Sequence, residues 1–565
     1  MLLDARNKCL SENSSLSFDE ACLDVINTLN ETISIYGQYT ECHKCNFQNL
    51  TTLKPGNTTS LLFNTVYPTE LFYRINNNSM EKCRFQKTLY EHYSYGWNIT
   101  VECDPIYIKE PAENSFLPIL TAFIVLFCFG TLWYMVKCIY KNSGRLRRYL
   151  NLSNEVENDL GETSGSILIM PKAPTIKKHP NRIKSIDVFR GLCIVVMIFV
   201  NYGGGKYWFF SHSIWNGLTL ADLVFPWFMW IMGMSLAISL EKKLRHAVPR
   251  RLLFFLIVRR SLILILLGIV INSNHNPSTV AELRYPGVLQ RLGITYLIIG
   301  LIEVAFKKRI EEEQTSRFKD ILPFWMPMSL IVVCLVIHTC ITFFVNVPGC
   351  GEGYLGPGGL DEGGKYLNCT GGVAGYIDRY IFGEHIYKAP IKLYETTQHY
   401  DPEGLLGILT SLFIVYMGVQ AGRILNIYAT VKDKVIRWLV WGAVTLILGL
   451  ILCGFKENDG LIPVNKKLWS LSFVLILSGL AFFLQTFLFL VVDIYRKWGG
   501  RPLFYPGMNS LFLYIGHELF KNTFPFGWKP VISTHGTFLF MNLWGTFLWV
   551  AISIFLYKHN IFFSI

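Results

Sequence analysis

His275 stands in the string INSNHNPS, 271 to 278, where a long apolar run from Leu252 to Ile271 stops. An imidazole at the mouth of a helix bundle is placed to accept a proton or to carry an acyl group. A plain interfacial histidine is the alternative reading of the same position. Other polar side chains sit inside or at the ends of apolar runs, where each is costly and needs a partner or a purpose. LADLVFPW (220 to 227) carries Asp222, PGVLQRLG (286 to 293) carries Gln290 and Arg291, and FYPGMNSLFLYIGHE (504 to 518) runs from Asn509 to His517 and Glu518. NYGGGKYWFF (201 to 210) adds Lys206 among aromatics, whereas His338 reads as packing or interhelical hydrogen bonding. SIDVFRG (185 to 191) spaces Asp187 and Arg190 one helical turn apart, as a local ion pair would be.

The elements that must hold these groups are membrane spans. The 565 residues are 51% hydrophobic, 15% aromatic and 16% charged, far from the make-up of an ordinary soluble domain. Eleven runs are long enough to cross roughly 30 Å of hydrocarbon: about 116 to 136, 186 to 204, 219 to 240, 252 to 273, 286 to 306, 322 to 346, 404 to 425, 436 to 454, 468 to 493, 503 to 521 and 537 to 557. The expected fold is a polytopic α-helical membrane protein with a small, disulfide-bonded, β-rich N-terminal domain.

Lysine and arginine collect in alternate loops, at 137 to 150 (Lys137, Lys141, Arg145, Arg147, Arg148), 172 to 184, 242 to 251, Lys307 to Arg309 and Arg496 to Arg501. By the positive-inside rule those loops are cytosolic. The domain 1 to 112, the loop 347 to 403 and, with them, Asp222, His275, Arg291, His517 and Glu518 then belong to the other face. A first span at 113 to 137, a basic loop at 138 to 184, a ten-helix region at 185 to 557 and a cytosolic tail at 558 to 565 complete the plan. The net charge of +12 is thus a topology signal; its scatter over loops argues against nucleic-acid binding.

Residues 1 to 112 hold Cys9, Cys22, Cys42, Cys45, Cys83 and Cys103, an even set in a short polar segment that suits disulfides in an oxidising compartment. Cys42 and Cys45 have a spacing also used for zinc or redox chemistry, but in this company a structural disulfide is the reading, and no metal is expected. Sequons begin at Asn13, Asn30, Asn49, Asn57, Asn77 and Asn98. Cys350 and Cys369 flank the glycine-rich stretch PGCGEGYLGPGGLDEGGKYLNCTGG, in which Asn368 starts another sequon. No strand precedes those glycines and no Gly-Lys-Ser/Thr follows, so a disulfide-closed loop is expected rather than a phosphate loop. MLLDARNKCL has no apolar core, and the chain is expected to begin after a removed signal.

The strings NYGGGKYWFF, WNGLTLADLVFPWF, YPGVLQRLG, GYLGPGG, NCTGG followed by AGYIDR, YDPEGLLG, GVQAG, VNKKLWSLS and FYPGMNSLFLYIGHE occur in this order. In them the chain resembles the lysosomal heparan-alpha-glucosaminide N-acetyltransferase family, closely from about 185 to 565; the N-terminal region resembles it only in placement, cysteines and sequons. The resemblance implies transfer of the acetyl group of cytosolic acetyl-CoA to the terminal non-reducing glucosamine of heparan sulfate in the lysosomal lumen, by a homodimer. It implies His275 as the catalytic histidine, acting as base or as acetyl carrier. The CoA phosphates would meet arginines near the cytosolic span ends, Arg190, Arg259 and Arg260, each also an ordinary positive-inside residue. Asp222 and Glu518 would hold the cationic glucosamine and Lys206 the sulfated polymer, with Arg291 and His517 beside them.

Two other readings remain: a membrane acyltransferase for another glycan, and a transporter of an anionic sugar or CoA-like compound. A transporter is expected to show inverted repeats with helices broken near the midplane. No internal repeat is evident, although YPGVLQ and FYPGMN are helix interruptions. The charge pattern makes one firm prediction about orientation. Glycan mapping should find sugar on Asn57, Asn98 and Asn368 and none on Asn151, whose sequon falls between the basic loops; sugar on Asn151 would reverse every span.

Overall fold

The computed structural model describes residues 9, 16 to 76, 80 to 158, 182 to 275, 282 to 306, 318 to 388, 391 to 395 and 397 to 563, without the side chains of 141 to 158, 274 and 275. The N-terminal region is the expected β-rich module. Strands β1 (Glu20–Asn27), β2 (Ile33–Tyr39), β3 (Gln48–Leu53), β4 (Thr58–Asn64), β5 (Thr69–Ile75), β6 (Lys82–Lys87), β7 (Ser94–Ile99) and β8 (Tyr107–Glu110) form two four-stranded sheets, ordered β4-β1-β7-β8 and β3-β2-β5-β6. All neighbours run antiparallel except β1 and β7. Alternation drives the fold. Ala21, Leu23 and Val25 of β1 and Tyr95, Trp97 and Ile99 of β7 share one buried core with Ile33, Ile35, Leu71 and Tyr73 of the other sheet. Disulfides Cys9–Cys22, Cys42–Cys45 and Cys83–Cys103 close the module, and Cys350–Cys369 closes the glycine-rich loop. Of the sequon asparagines, Asn30, Asn49, Asn57 and Asn368 are exposed and Asn98 is partly buried, while Asn13 and Asn77 lie outside the described residues.

Helix α1 (Leu117–Asn158) belongs to a unit of its own, residues 113 to 182, and runs well past the end expected from hydropathy. The bundle consists of α2 (Lys184–Asn201), α3 (Leu220–Arg245), α4 (Arg250–His275), α5 (Val288–Phe306), α6 (Trp325–Phe344), the short α7 (Gly372–Phe382), α8 (Leu406–Ile427), α9 (Val431–Leu452), α10 (Leu471–Leu488), the broken pair α11 (Phe504–Met508) and α12 (Ser510–Phe520), and α13 (His535–Lys558). Among the described residues nine helices are long and apolar enough to span a bilayer. Two of the eleven expected spans are not among them. They correspond to α2, eighteen residues carrying Lys184, Asp187 and Arg190, and to α11 and α12, which break at Asn509.

Missing side chains set the closest helix contacts. A Cβ on Gly418 would stand 1.9 Å from the Trp230 carbonyl, and one on Gly233 2.0 Å from the Val415 carbonyl, so α3 and α8 meet backbone to backbone. Gly507 and Gly191 do the same for α11 and α2. GVQAG and YPGMN thus encode helix approach.

One end of the bundle is bound to the β module. His43 Nδ1 lies 3.4 Å from Asp361 and its Nε2 3.2 Å from Asp459, so only the doubly protonated ring donates on both sides. Asn46 donates to the Gly363 carbonyl. His535, at the start of α13, lies 2.9 Å from both Glu91 oxygens and 2.9 Å from the Gly205 carbonyl. Burial pushes the carboxyl of Asp19 up to about 6, and that of Asp378 in α7 up to about 7. Their folded values lie above the unfolded one of about 4. The stability they contribute is therefore complete below that pH and is lost as pH rises through about 6 and about 7. Thermal unfolding in detergent should show a higher midpoint at pH 5 than at pH 7.5, and Asp378→Asn should flatten that slope; an Asp378→Asn protein with an undiminished slope would assign it elsewhere.

Candidate active site

The loops at the module end build the site. Trp215 donates to the Leu355 carbonyl at 2.8 Å, Asn216 to Asn458 at 2.8 Å, Lys467 to the Ile214 carbonyl at 2.5 Å and Tyr400 to the Lys467 carbonyl at 2.8 Å. These bonds lock 202 to 219, 345 to 405 and 453 to 470 into one layer. Inside it, Asp222 sits three residues into α3 and accepts from Thr219 N at 3.2 Å and Thr219 Oγ1 at 2.9 Å, a side-chain cap of the helix start. Its other contacts are chemical. Ser213 N donates at 3.1 Å, His212 Nδ1 lies at 2.8 Å and Lys466 Nζ at 3.3 Å.

The Asp222 side chain is fully buried while that of His212 is 50% exposed, so a fixed carboxylate orients an accessible ring. With Nδ1–H given to Asp222, the ring's lone pair is on Nε2. Lys466 Nζ stands 2.9 and 3.3 Å from the two ring nitrogens. Burial holds the Lys466 ammonium below the usual lysine range, and it brings Lys467 down to about 8. Lysines so placed lose protons more readily than ordinary ones.

A second group lies at the same end. Asn201, the last residue of α2, donates to His517 Nε2 at 3.0 Å and to Glu518 at 2.9 Å, while His517 Nδ1 lies 3.0 Å from the Leu513 carbonyl. His517 is fully buried. Arg291 is buried against Trp469, 4.6 Å from its ring, and donates to the Gly404 carbonyl at 2.6 Å. Its Nε and Nη1 have no protein partner among the described residues. Arg284 binds Asp401 at 2.5 and 2.7 Å and also binds Glu403.

Glu403 joins the groups: it acts electrostatically on Lys466, on Arg291 and on Tyr514, which also feels Glu518 and Arg284. Asp222, Arg291, His517 and Glu518 therefore do share one end of the bundle, as three hydrogen-bonded groups in a common field. Lys206 is set apart from them. It is exposed in the glycine turn 203 to 206, with Nζ 5.4 Å from the Phe538 ring.

His275 is the last residue of α4, and its side chain lies outside the description. Arg190 contacts Asp187 at 3.2 Å, Ser235 Oγ at 2.7 Å and the Gly507 carbonyl at 3.3 Å. That set of partners is a helix-packing role. Arg259 and Arg260 are exposed, nine and ten residues into α4, about 14 and 15 Å from its start at 1.5 Å per residue. Arg260 lies over the Tyr296 ring at 4.8 Å. Charges at that depth need water, a ligand or a protein partner.

The residues that sequence reasoning did not single out are His212, Lys466, Asn201, Arg284, Asp401 and Glu403. Lys466 lies in VNKKLWSLS, Asp401 and Glu403 in YDPEGLLG, and Asn201 in NYGGGKYWFF, so a string that carries the family resemblance holds each of these four. His212 falls between two such strings. Among the described residues there is no cluster of His, Cys, Asp and Glu that could hold a metal ion.

The fold describes an integral-membrane protein whose helix bundle carries a disulfide-bonded β domain at one end. A family model for heparan-alpha-glucosaminide N-acetyltransferase, catalytic, matches residues 182 to 311. The human heparan-alpha-glucosaminide N-acetyltransferase is 38% identical over 98% of this chain and 89% of its own length, and the mouse protein of that name 37% over 98% and 90%. The chain belongs to the heparan-alpha-glucosaminide N-acetyltransferase family and is an acyltransferase.

Because Arg284 neutralises two buried carboxylates, Arg284→Met should destabilise the fold by about 3 to 5 kcal/mol. Adding Asp401→Asn and Glu403→Gln should restore most of the loss. Melting temperatures of the two variants check this, and a triple variant no better than the single would deny the pairing its structural weight.

Proposed function

We propose that this protein moves the acetyl group of acetyl-CoA to the terminal non-reducing α-glucosamine of heparan sulfate, at the lysosomal membrane, with the β module lumenal and the tail 558 to 565 cytosolic. The names of the human and mouse relatives support the substrate. The disulfides and sequons at one end and the basic loops at the other support the orientation. The acetyl donor enters from the basic side, and Arg259 and Arg260 are its best candidate phosphate contacts, being charged, exposed and deep in α4.

The observation that carries the mechanism is the 2.8 Å contact between buried Asp222 and half-exposed His212. The glucosamine nitrogen attacks the thioester carbonyl, forming an N–C bond while the C–S bond breaks. Nε2 takes the proton that nitrogen sheds and returns one to the departing thiolate. Attack by Nε2 itself, through an acetyl-imidazole, would use the same ring and the same orienting carboxylate. Asp222 is a positioning residue in either route. This reading puts on His212 the role that the family resemblance implied for His275.

Purified protein with labelled acetyl-CoA and glucosamine tests enzyme against transporter directly. His212→Ala should lower kcat by about 100-fold or more, the usual worth of a general base, with glycosylation and size-exclusion behaviour unchanged. His275→Ala, measured beside it, should turn over at a near-normal rate. The opposite pattern would return the role to His275.

A further inference from the structure

A cavity of about 340 Å³ opens at the module end of the bundle, between the ends of α2, α12 and α13. That volume falls in the range of small-ligand sites, about 300 to 1,000 Å³. Its lining divides by chemistry. Tyr202, Phe526 and Trp528 offer aromatic faces, and Lys521, Asn522 and Lys529 supply donors. Neither lysine has a carboxylate partner among the described residues, although Lys521 is half-buried.

The aromatic walls are braced before any ligand arrives. Trp549 donates to Tyr202 Oη at 2.6 Å and lies 4.6 Å from Phe526, stacked upon it. Asn542 donates to the Tyr202 carbonyl at 2.7 Å and accepts from Gly205 N at 2.8 Å. Beyond Tyr202 lies the Asn201, His517 and Glu518 group, and Glu518 acts electrostatically on Tyr202. The cavity thus has ammonium groups at its mouth and a carboxylate behind one wall. Aromatic faces suit the C–H faces of sugar rings, and unpaired ammonium groups suit sulfate or carboxylate.

We propose that this cavity is a subsite for the anionic sugar residues next to the acceptor's terminal glucosamine, with Lys521 and Lys529 holding their sulfate groups. It rests on the acceptor named in the proposed function and adds to it a recognition site separate from the reacting amine. Lys521 and Lys529 set specificity; they do not touch the reacting atoms.

The test compares a sulfated heparan tetrasaccharide, its desulfated form and free glucosamine as acceptors for the purified full chain. The wild type should show a KM about tenfold lower for the sulfated form, as a charge-assisted contact would give. Lys521→Gln with Lys529→Gln should abolish that preference, leaving kcat and the KM for glucosamine unchanged, and Lys521→Arg with Lys529→Arg should keep it. An unchanged preference in the glutamine variant, or an equal loss on all three acceptors, would overturn the proposal.

Should the glutamine variant fail to fold, amine-reactive labelling of the wild type decides. The sulfated tetrasaccharide should protect Lys521 and Lys529, read by mass spectrometry, while the desulfated form and inorganic sulfate at equal concentration should not. Equal labelling with and without the sulfated form would reject the site. A wild type that acetylates no glucosamine would instead refute the enzymatic reading, and the labelling result would still decide this one.

Discussion

Asp222 has to be withdrawn from water to hold one ring in one orientation, yet a carboxylate withdrawn from water must be surrounded by donors. The chain meets both demands by bringing three segments to the same oxygens: the α3 cap at Thr219, the bend at His212 and Ser213, and Lys466 from the loop 453 to 470. A buried charge with a missing partner is destabilising by several kcal/mol, so the loops are not free to drift. The lock between Trp215, Leu355, Asn216, Asn458 and Lys467 is the covering layer of that arrangement.

The same constraint explains the other polar groups of the bundle. At the end away from the β module, Glu303 and Arg423 are buried together, with Tyr416 on the arginine and Asp320 shared by Gln420, Tyr428 and Arg437. Glu303 with Arg423 and Asp320 with Arg437 are matched in sign there. At the module end, among the described residues, Arg291 keeps two nitrogens without a protein partner, and Lys521 and Lys529 have no carboxylate partner. Among the described residues, buried donors without a hydrogen-bond partner occur at both ends, Arg423 Nε and Asn426 Nδ2 at the far end and Arg291 Nε and Nη1 at the module end.

Much of the architecture was legible because it is written in periodicity and composition. Apolar runs gave the spans, even cysteines and sequons gave the module, and alternating residues such as Ala21, Leu23 and Val25 gave its strands. The pairings were less visible. His212 and Asp222 are ten residues apart across a bend and a helix cap, a separation with no helical or strand period, so nothing in the spacing announces a 2.8 Å contact. Lys466 reaches them from 254 positions away from His212. His275 attracted notice for the opposite reason: it ends a clean apolar run, and hydropathy sees run ends well. Arg190 likewise looked available in sequence because its partners Ser235 and Gly507 lie on other helices.

The glycines show how the two kinds of information meet. FYPGMN reads as a helix interruption, which kept a transporter with broken helices in view, and GVQAG is one of the strings that carry the family resemblance. In the fold they are contact points. Gly418 sits against Trp230 and Gly507 against Asp187, both at backbone distance. A side chain at either place would force α3 from α8, or α2 from α11, and neither pair could then hold its register. That register also sets the polar end of the bundle, because Asp222 lies in the first turn of α3 and α2 ends at Asn201, the partner of His517 and Glu518. Contacts deep in the bundle thus fix where both polar groups stand at its end, and the string FYPGMN, which suggested a broken and moving helix, supplies one of them.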